Sequence, residues 1–270
     1  MKFKYKIQPY QTEAVESVVR VFDGQPNLGA TLYQRDLGEI QRKPVEPQKE
    51  MFTFESDELD ANGFKNCDLV HALNDSVLLE NIQKIQSEHN IPLSKSLSKL
   101  HGCCVLDIEM ETGTGKTYVY IKTMFELNKR YGWTKFIVIV PSIAIREGVF
   151  KSFENMTDHF MEHYGKKARY FIYNSDNLSQ IDSYSSSGDI NVMIINTQAF
   201  ASSFDEKSEK KALDNQKKGK NDKNLRIYTK RDEFGSRRPI DVIAANRPII
   251  IMDEPQKMGG EAGLSSSIFS

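Results

Sequence analysis

The chain has 270 residues, 39% of them apolar and 27% charged, with 36 Lys and Arg against 37 Asp and Glu for a net charge of -1. Such a chain can build an ordinary soluble core, and its balanced charge excludes a surface drawn to nucleic acid as a whole, so any such contact must be a local patch. The start MKFKYKIQPYQ lacks the apolar segment of a secretion leader, and no run approaches the roughly 20 apolar residues that span a bilayer, so a cytoplasmic protein with no membrane partner is expected.

Residues 9–23, PYQTEAVESVVRVFD, place Ala14, Val15, Val18, Val19 and Phe22 at helical spacing behind Pro9 and predict an amphipathic helix. From 24 to 66 the chain is polar and aperiodic, with Pro26, Pro44 and Pro47, and reads as an insertion able to carry a small hairpin; MFTFES within it has strand character. A helical segment over 67–99 follows, its periodicity running from 68 to 89 until Pro92 interrupts it. Apolar runs of strand length then recur at Cys103–Ile108, Phe136–Val140, Arg169–Tyr173, Val192–Ile195 and Ile249–Met252, with helical stretches at Thr117–Arg130 and Ile145–Tyr164. Near-continuous apolar strands alternating with helices predict an α/β fold with a mostly parallel sheet covered by helices. SYSSSGD, 183–189, reads as a turn-rich connection. The segment 205–238 holds twelve Lys or Arg against seven Asp or Glu and reads as a solvated, charged insertion. Cys67, Cys103 and Cys104 show no CxxC spacing and read as buried reduced thiols, and no internal repeat is present.

METGTGKT, 110–117, leaves one predicted strand and opens the next predicted helix. Successive backbone N–H groups can converge on phosphate oxygens only where side chains do not obstruct the turn, and Gly113 and Gly115 supply that open backbone. Lys116 can reach the β and γ phosphates, and Thr117 can place its hydroxyl on magnesium. The strict GxxxxGK[ST] pattern would want glycine where Met110 stands. PIIIMDEPQ, 248–256, supplies a buried strand ending in two carboxylates, and ligands of a parallel sheet gather at the carboxyl ends of its strands. Asp253 would hold Mg2+ there, and Glu254 would orient and deprotonate an attacking water.

ETGTGKT together with DEPQ resembles motifs I and II of the superfamily 2 helicases and translocases. The order METGTGKT, FIVIVPSIAIREGV, VMIINTQAF and IIIMDEPQ resembles more closely the start of the restriction (Res) subunit of type III restriction enzymes. The resemblance implies a P-loop NTPase with a RecA-like domain, ATP and Mg2+ as cofactors, and a single motor domain over 1–270. It implies that Thr112, Gly113, Thr114, Gly115, Lys116 and Thr117 hold nucleotide, that Gln11 reads the adenine edge, and that Thr117 and Asp253 hold the metal. Ser142 and Arg146 in PSIAIREG, with Thr197 and Gln198 in NTQAF, would contact nucleic acid by its backbone, which positions it without reading sequence. Gln256 would couple nucleotide state to a partner domain.

The function so implied is ATP-dependent translocation and cleavage of double-stranded DNA, in complex with a modification (methyltransferase) subunit. Another DNA-dependent superfamily 2 helicase, a type I restriction motor, or a nucleotide-gated DNA-binding module without turnover would use the same residues. With Ser270 only seventeen residues beyond Asp253, the chain is expected to be the N-terminal part of a larger subunit. Alone it would bind ATP weakly and turn it over slowly, because an arginine from a second domain is worth roughly 10³ to 10⁵ in rate in other NTPases.

Overall fold

The run KFIVIV has no polar interruption, and Lys135–Val140 is accordingly buried along its whole length as β3, at the centre of a parallel sheet. The computed structural model describes residues 5–34, 62–98, 104–199 and 238–255. Within them the chain runs α1 (Pro9–Arg20), β1 (Thr31–Gln34), β2 (Asn62–Lys65), α2 (Asp75–Glu88) and α3 (Lys116–Tyr131). It continues with β3, α4 (Ile143–Tyr164), β4 (Arg169–Ile172), α5 (Ser179–Ser186), β5 (Asn191–Asn196), α6 (Pro239–Ala245) and β6 (Ile249–Met252).

β3 to β6 form a four-stranded sheet in the order β4-β5-β3-β6, every pair parallel. Alternate side chains leave β3 and β5 on opposite faces, as the period of a strand requires. Phe136, Val138, Val140, Val192 and Ile194 meet α1, α3 and α4 in one core. Ile137, Ile139, Met193 and Ile195 meet α5 and α6 in a second. The expected α/β fold, a parallel sheet covered by helices in the manner of a RecA-like P-loop NTPase, is therefore present.

α1 is fastened along α3. Lys122 Nζ donates to Thr12 Oγ1 at 2.8 Å, Arg130 is paired with Glu16, and the Tyr131 hydroxyl donates to Val19 O at 2.9 Å. β1 and β2 pair antiparallel as a separate two-stranded sheet, consistent with the small hairpin expected between 24 and 66. MFTFES, the charged stretch 205–237 and Cys103 lie outside the described residues.

Three expectations are corrected. Residues 104–108 form no strand: Val105 and Ile108 are 37% and 50% exposed, and Val105 N donates to Ser98 O rather than to a sheet neighbour. Leu106 packs instead with Val21, Leu73 and Leu78 in a third cluster beside α1 and α2, a competing use for the same apolar residue. Part of the turn-rich 183–189 is helical, because Ile181 and Tyr184 reach the second core from one face of α5. Cys67 and Cys104 are free thiols as expected, but half-buried.

Candidate active site

The glycine-rich loop is shaped by two residues of left-handed backbone, Gly113 at φ 84° and Gly115 at φ 86°. Between them Thr114 turns back, its hydroxyl donating to Glu111 O at 2.6 Å. Gly115 caps α3 without any side-chain hydrogen bond, so the first N–H groups of a 16-residue helix open toward the loop. Lys116 and Thr117, the first two residues of α3, are half-buried, while Thr112 and Gly113 are exposed. The loop is also held from α1: Gln11 Nε2 donates to Thr114 O at 2.9 Å and the Tyr10 hydroxyl donates to the same oxygen at 3.2 Å. Gln11, expected at an adenine edge, is 8% exposed and commits its amide nitrogen to the loop.

The carboxyl ends of β5, β3 and β6 form one row. Val140 is paired with Asn196, and Asp253 follows β6 with its N–H donating to Ile139 O at 2.9 Å. Glu254 then adopts φ 54°, a left-handed conformation uncommon outside glycine, which turns the chain sharply at the strand end. Thr197 Oγ1 donates to Val140 O at 3.0 Å and ties β5 to β3. Ser142 caps α4, its Oγ accepting from Ile145 N at 3.3 Å. Arg146, its side chain 19% exposed, donates to Glu147 Oε1 at 2.8 Å and to Asn196 Oδ1 at 3.5 Å. Gln198 is exposed, and Gln256 lies outside the described residues.

One residue that motif reasoning passed over senses both the start of α3 and the end of β6. Tyr120 lies three positions beyond Thr117, hence on the same helical face one turn on. Burial holds its phenol above the ordinary tyrosine range; the Thr117 side chain acts against this shift and the Asp253 carboxylate adds to it. The Thr117 side chain thus comes within reach of this hydroxyl and the Asp253 charge acts on it from the strand end, and the phenol stays protonated. Helical spacing from Thr117 is the signal that could have found it.

The donor set fits magnesium better than a preformed cage. Among the described residues no group of three His, Cys, Asp or Glu could hold a metal. Magnesium is commonly held by one or two protein oxygens, with phosphate oxygens and water completing its octahedron. Thr117 and Asp253 supply oxygens of that kind.

A profile described as "Type III restriction enzyme, res subunit" matches residues 4–262. The Res subunit of the type III restriction-modification enzyme EcoP15I of Escherichia coli is 30% identical over 203 residues, 68% of this chain and 19% of its own length. That of EcoPI from Escherichia phage P1 is 29% identical over 255 residues, 92% of this chain and 23% of its own length. That of StyLTI from Salmonella typhimurium is 41% identical over 88 residues, 31% of this chain and 9% of its own. The chain thus spans about a fifth of the length of the first two curated relatives. The match runs through α1, the glycine-rich loop, the parallel sheet and both carboxylates, and the chain belongs to the family of type III restriction enzyme Res subunits.

Proposed function

We propose that this region is a nucleotide-binding motor domain of a Res subunit that couples ATP hydrolysis to translocation along, and cleavage of, double-stranded DNA. In this reading residues 1–270 form one domain with insertions at 24–66 and 205–238, and the whole subunit works with a modification (methyltransferase) subunit. The observation that carries it is the glycine-rich loop itself, with Gly113 and Gly115 in left-handed backbone at the uncapped start of α3.

Phosphate is held by backbone N–H groups of the loop and the start of α3 and by the Lys116 ammonium, its negative charge favoured by the positive end of α3. Magnesium, when bound, neutralises charge on the phosphates, with Thr117 and Asp253 as its protein ligands. Glu254 orients the attacking water and accepts its proton, a role that its left-handed turn directly after β6 supports. Gln11 and Tyr10 fix the loop from α1, and Thr112 and Thr114 complete its wall. DNA runs over the ends of β3 and β5, where Gln198 is exposed. Thr197 and Ser142 shape that surface through the loops they tie, and Arg146 reaches a phosphate by exchanging it for Glu147. Gln256 links the strand end to the rest of the motor.

Lys116→Ala in the full-length subunit tests the reading. Loss of a preorganised charge at the reacting phosphate should lower ATP hydrolysis by about 10² or more, and ATP-dependent DNA cleavage should fail with it. Retention of both would reject the assignment.

A further inference from the structure

We infer that Tyr120 is a positioning residue of the metal site, its hydroxyl oxygen accepting a hydrogen bond from a water in the coordination shell of the ion that Thr117 and Asp253 hold. The inference rests on the proposed nucleotide reading and adds a residue to it.

Three observations carry it. The Tyr120 hydroxyl oxygen is shut off from solvent and makes no well-aligned hydrogen bond, the Thr117 side chain coming within reach without the geometry of one. A buried polar atom left in this way is costly, and a retained one calls for a partner that arrives later. Second, the half-buried ring packs against the main core, which holds the side chain in place. Third, Tyr120 lies one helical turn beyond Thr117 on the same face of α3, and the Asp253 charge acts on its hydroxyl. Magnesium gives up its waters reluctantly, and a shell water bound to the ion is a strong donor that needs an acceptor. A second-layer oxygen that fixes such a water orients the ion, as outer partners of metal ligands do elsewhere. A phenol held one helical turn beyond Thr117 can serve as that acceptor, and Phe in its place would keep the packing and lose only the hydroxyl.

The test is Tyr120→Phe in the full chain, read by titrating a non-hydrolysable ATP analogue with and without Mg2+. Affinity without Mg2+ should be unchanged, the gain on adding Mg2+ should shrink about five- to tenfold, and the thermal midpoint of the nucleotide-free protein should hold or rise. Mn2+ bound with the analogue should give an altered paramagnetic resonance spectrum. An unchanged Mg2+ dependence would overturn the inference, as would equal losses with and without the ion, which indicate packing alone. Lys116→Ala measured in parallel separates the two levels: if it weakens binding while Tyr120→Phe does nothing, only the role of Tyr120 is lost. If Lys116→Ala binds normally, the nucleotide reading falls and this inference with it.

Discussion

Gly115 leaves no room for a side chain. A Cβ there would stand 2.6 Å from Gln11 Nε2, and φ 86° is a conformation that L side chains rarely adopt. Gly113 shares the left-handed backbone but would meet nothing within 4 Å, so the two glycines of the loop are not equivalent. Gly115→Ala should therefore strain the backbone by about 1–2 kcal/mol and displace Gln11 from Thr114 O. The expected outcome is a small fall in thermal midpoint with a larger loss of nucleotide affinity, about tenfold, by the same titration. Gly113→Ala should disturb Gln11 far less, and equal effects of the two changes would refute this account. At this scale the sequence offers candidates where chemistry depends on residue type: two glycines, one lysine, one threonine and two carboxylates stand out from order alone. It was silent where chemistry depends on approach. Nothing in PYQ tells that Gln11 and Tyr10 share one carbonyl, and Tyr120 reads as one more apolar residue of an amphipathic helix.

At the scale of elements, α3 and α4 pair through a run of rings. Phe125 stacks on Phe160 at 4.7 Å, Tyr118 on Phe160 at 5.6 Å, and the Tyr118 hydroxyl lies 3.0 Å from His159 Nε2. Burial lowers the His159 pKa, and neighbouring His163 lowers it further. The folded protein thus binds fewer protons at this site than the unfolded chain between the lowered value and the ordinary 6.5. Stability contributed by neutral His159 is present above 6.5 and is lost as pH falls toward the folded value. Thermal melts from neutral pH down to about 5 should show a falling midpoint, and His159→Phe should flatten that slope while keeping the stack. An identical pH profile in the variant would place the acid sensitivity elsewhere. Elements were legible where periodicity had length to act: the predicted 9–23, 117–130 and 145–164 became helices within a few residues of those bounds. α6, seven residues long, is too short for its period to stand out. The run Cys103–Ile108 misled because apolar content says that a segment is to be buried but not against what, and Leu106 found a helical cluster.

The whole molecule treats the two ends of its parallel sheet differently. At the carboxyl ends lie Asn196 of β5, Asp253 after β6 and the exposed Gln198. At the amino ends, buried polar groups knot distant parts of the chain together. Asn66, 4% exposed, accepts from Thr134 N at 2.8 Å and Lys135 N at 3.0 Å, and donates to Lys135 O at 2.8 Å and Arg247 O at 2.9 Å. Asn246 donates to Phe64 O at 2.7 Å and Ser185 Oγ at 3.2 Å, and fully buried Lys135 donates to the carbonyls of Tyr184 and Ser187. One amide thereby joins the exit of β2 to the entries of β3 and β6, a connection across some 180 residues that no local pattern announces. Asn66→Ala would strand two N–H groups and two carbonyls at once. At about 1–3 kcal/mol for a stranded group, partly relieved by relaxation, the expected loss is about 3–5 kcal/mol, or roughly 10 °C in thermal midpoint for a chain of this size. Because the knot lies at the end remote from the loop, nucleotide affinity measured well below the transition should hold. A drop in affinity without a drop in stability would show that the two ends of the sheet are not independent, and that the fastening of the amino ends reaches the phosphate loop.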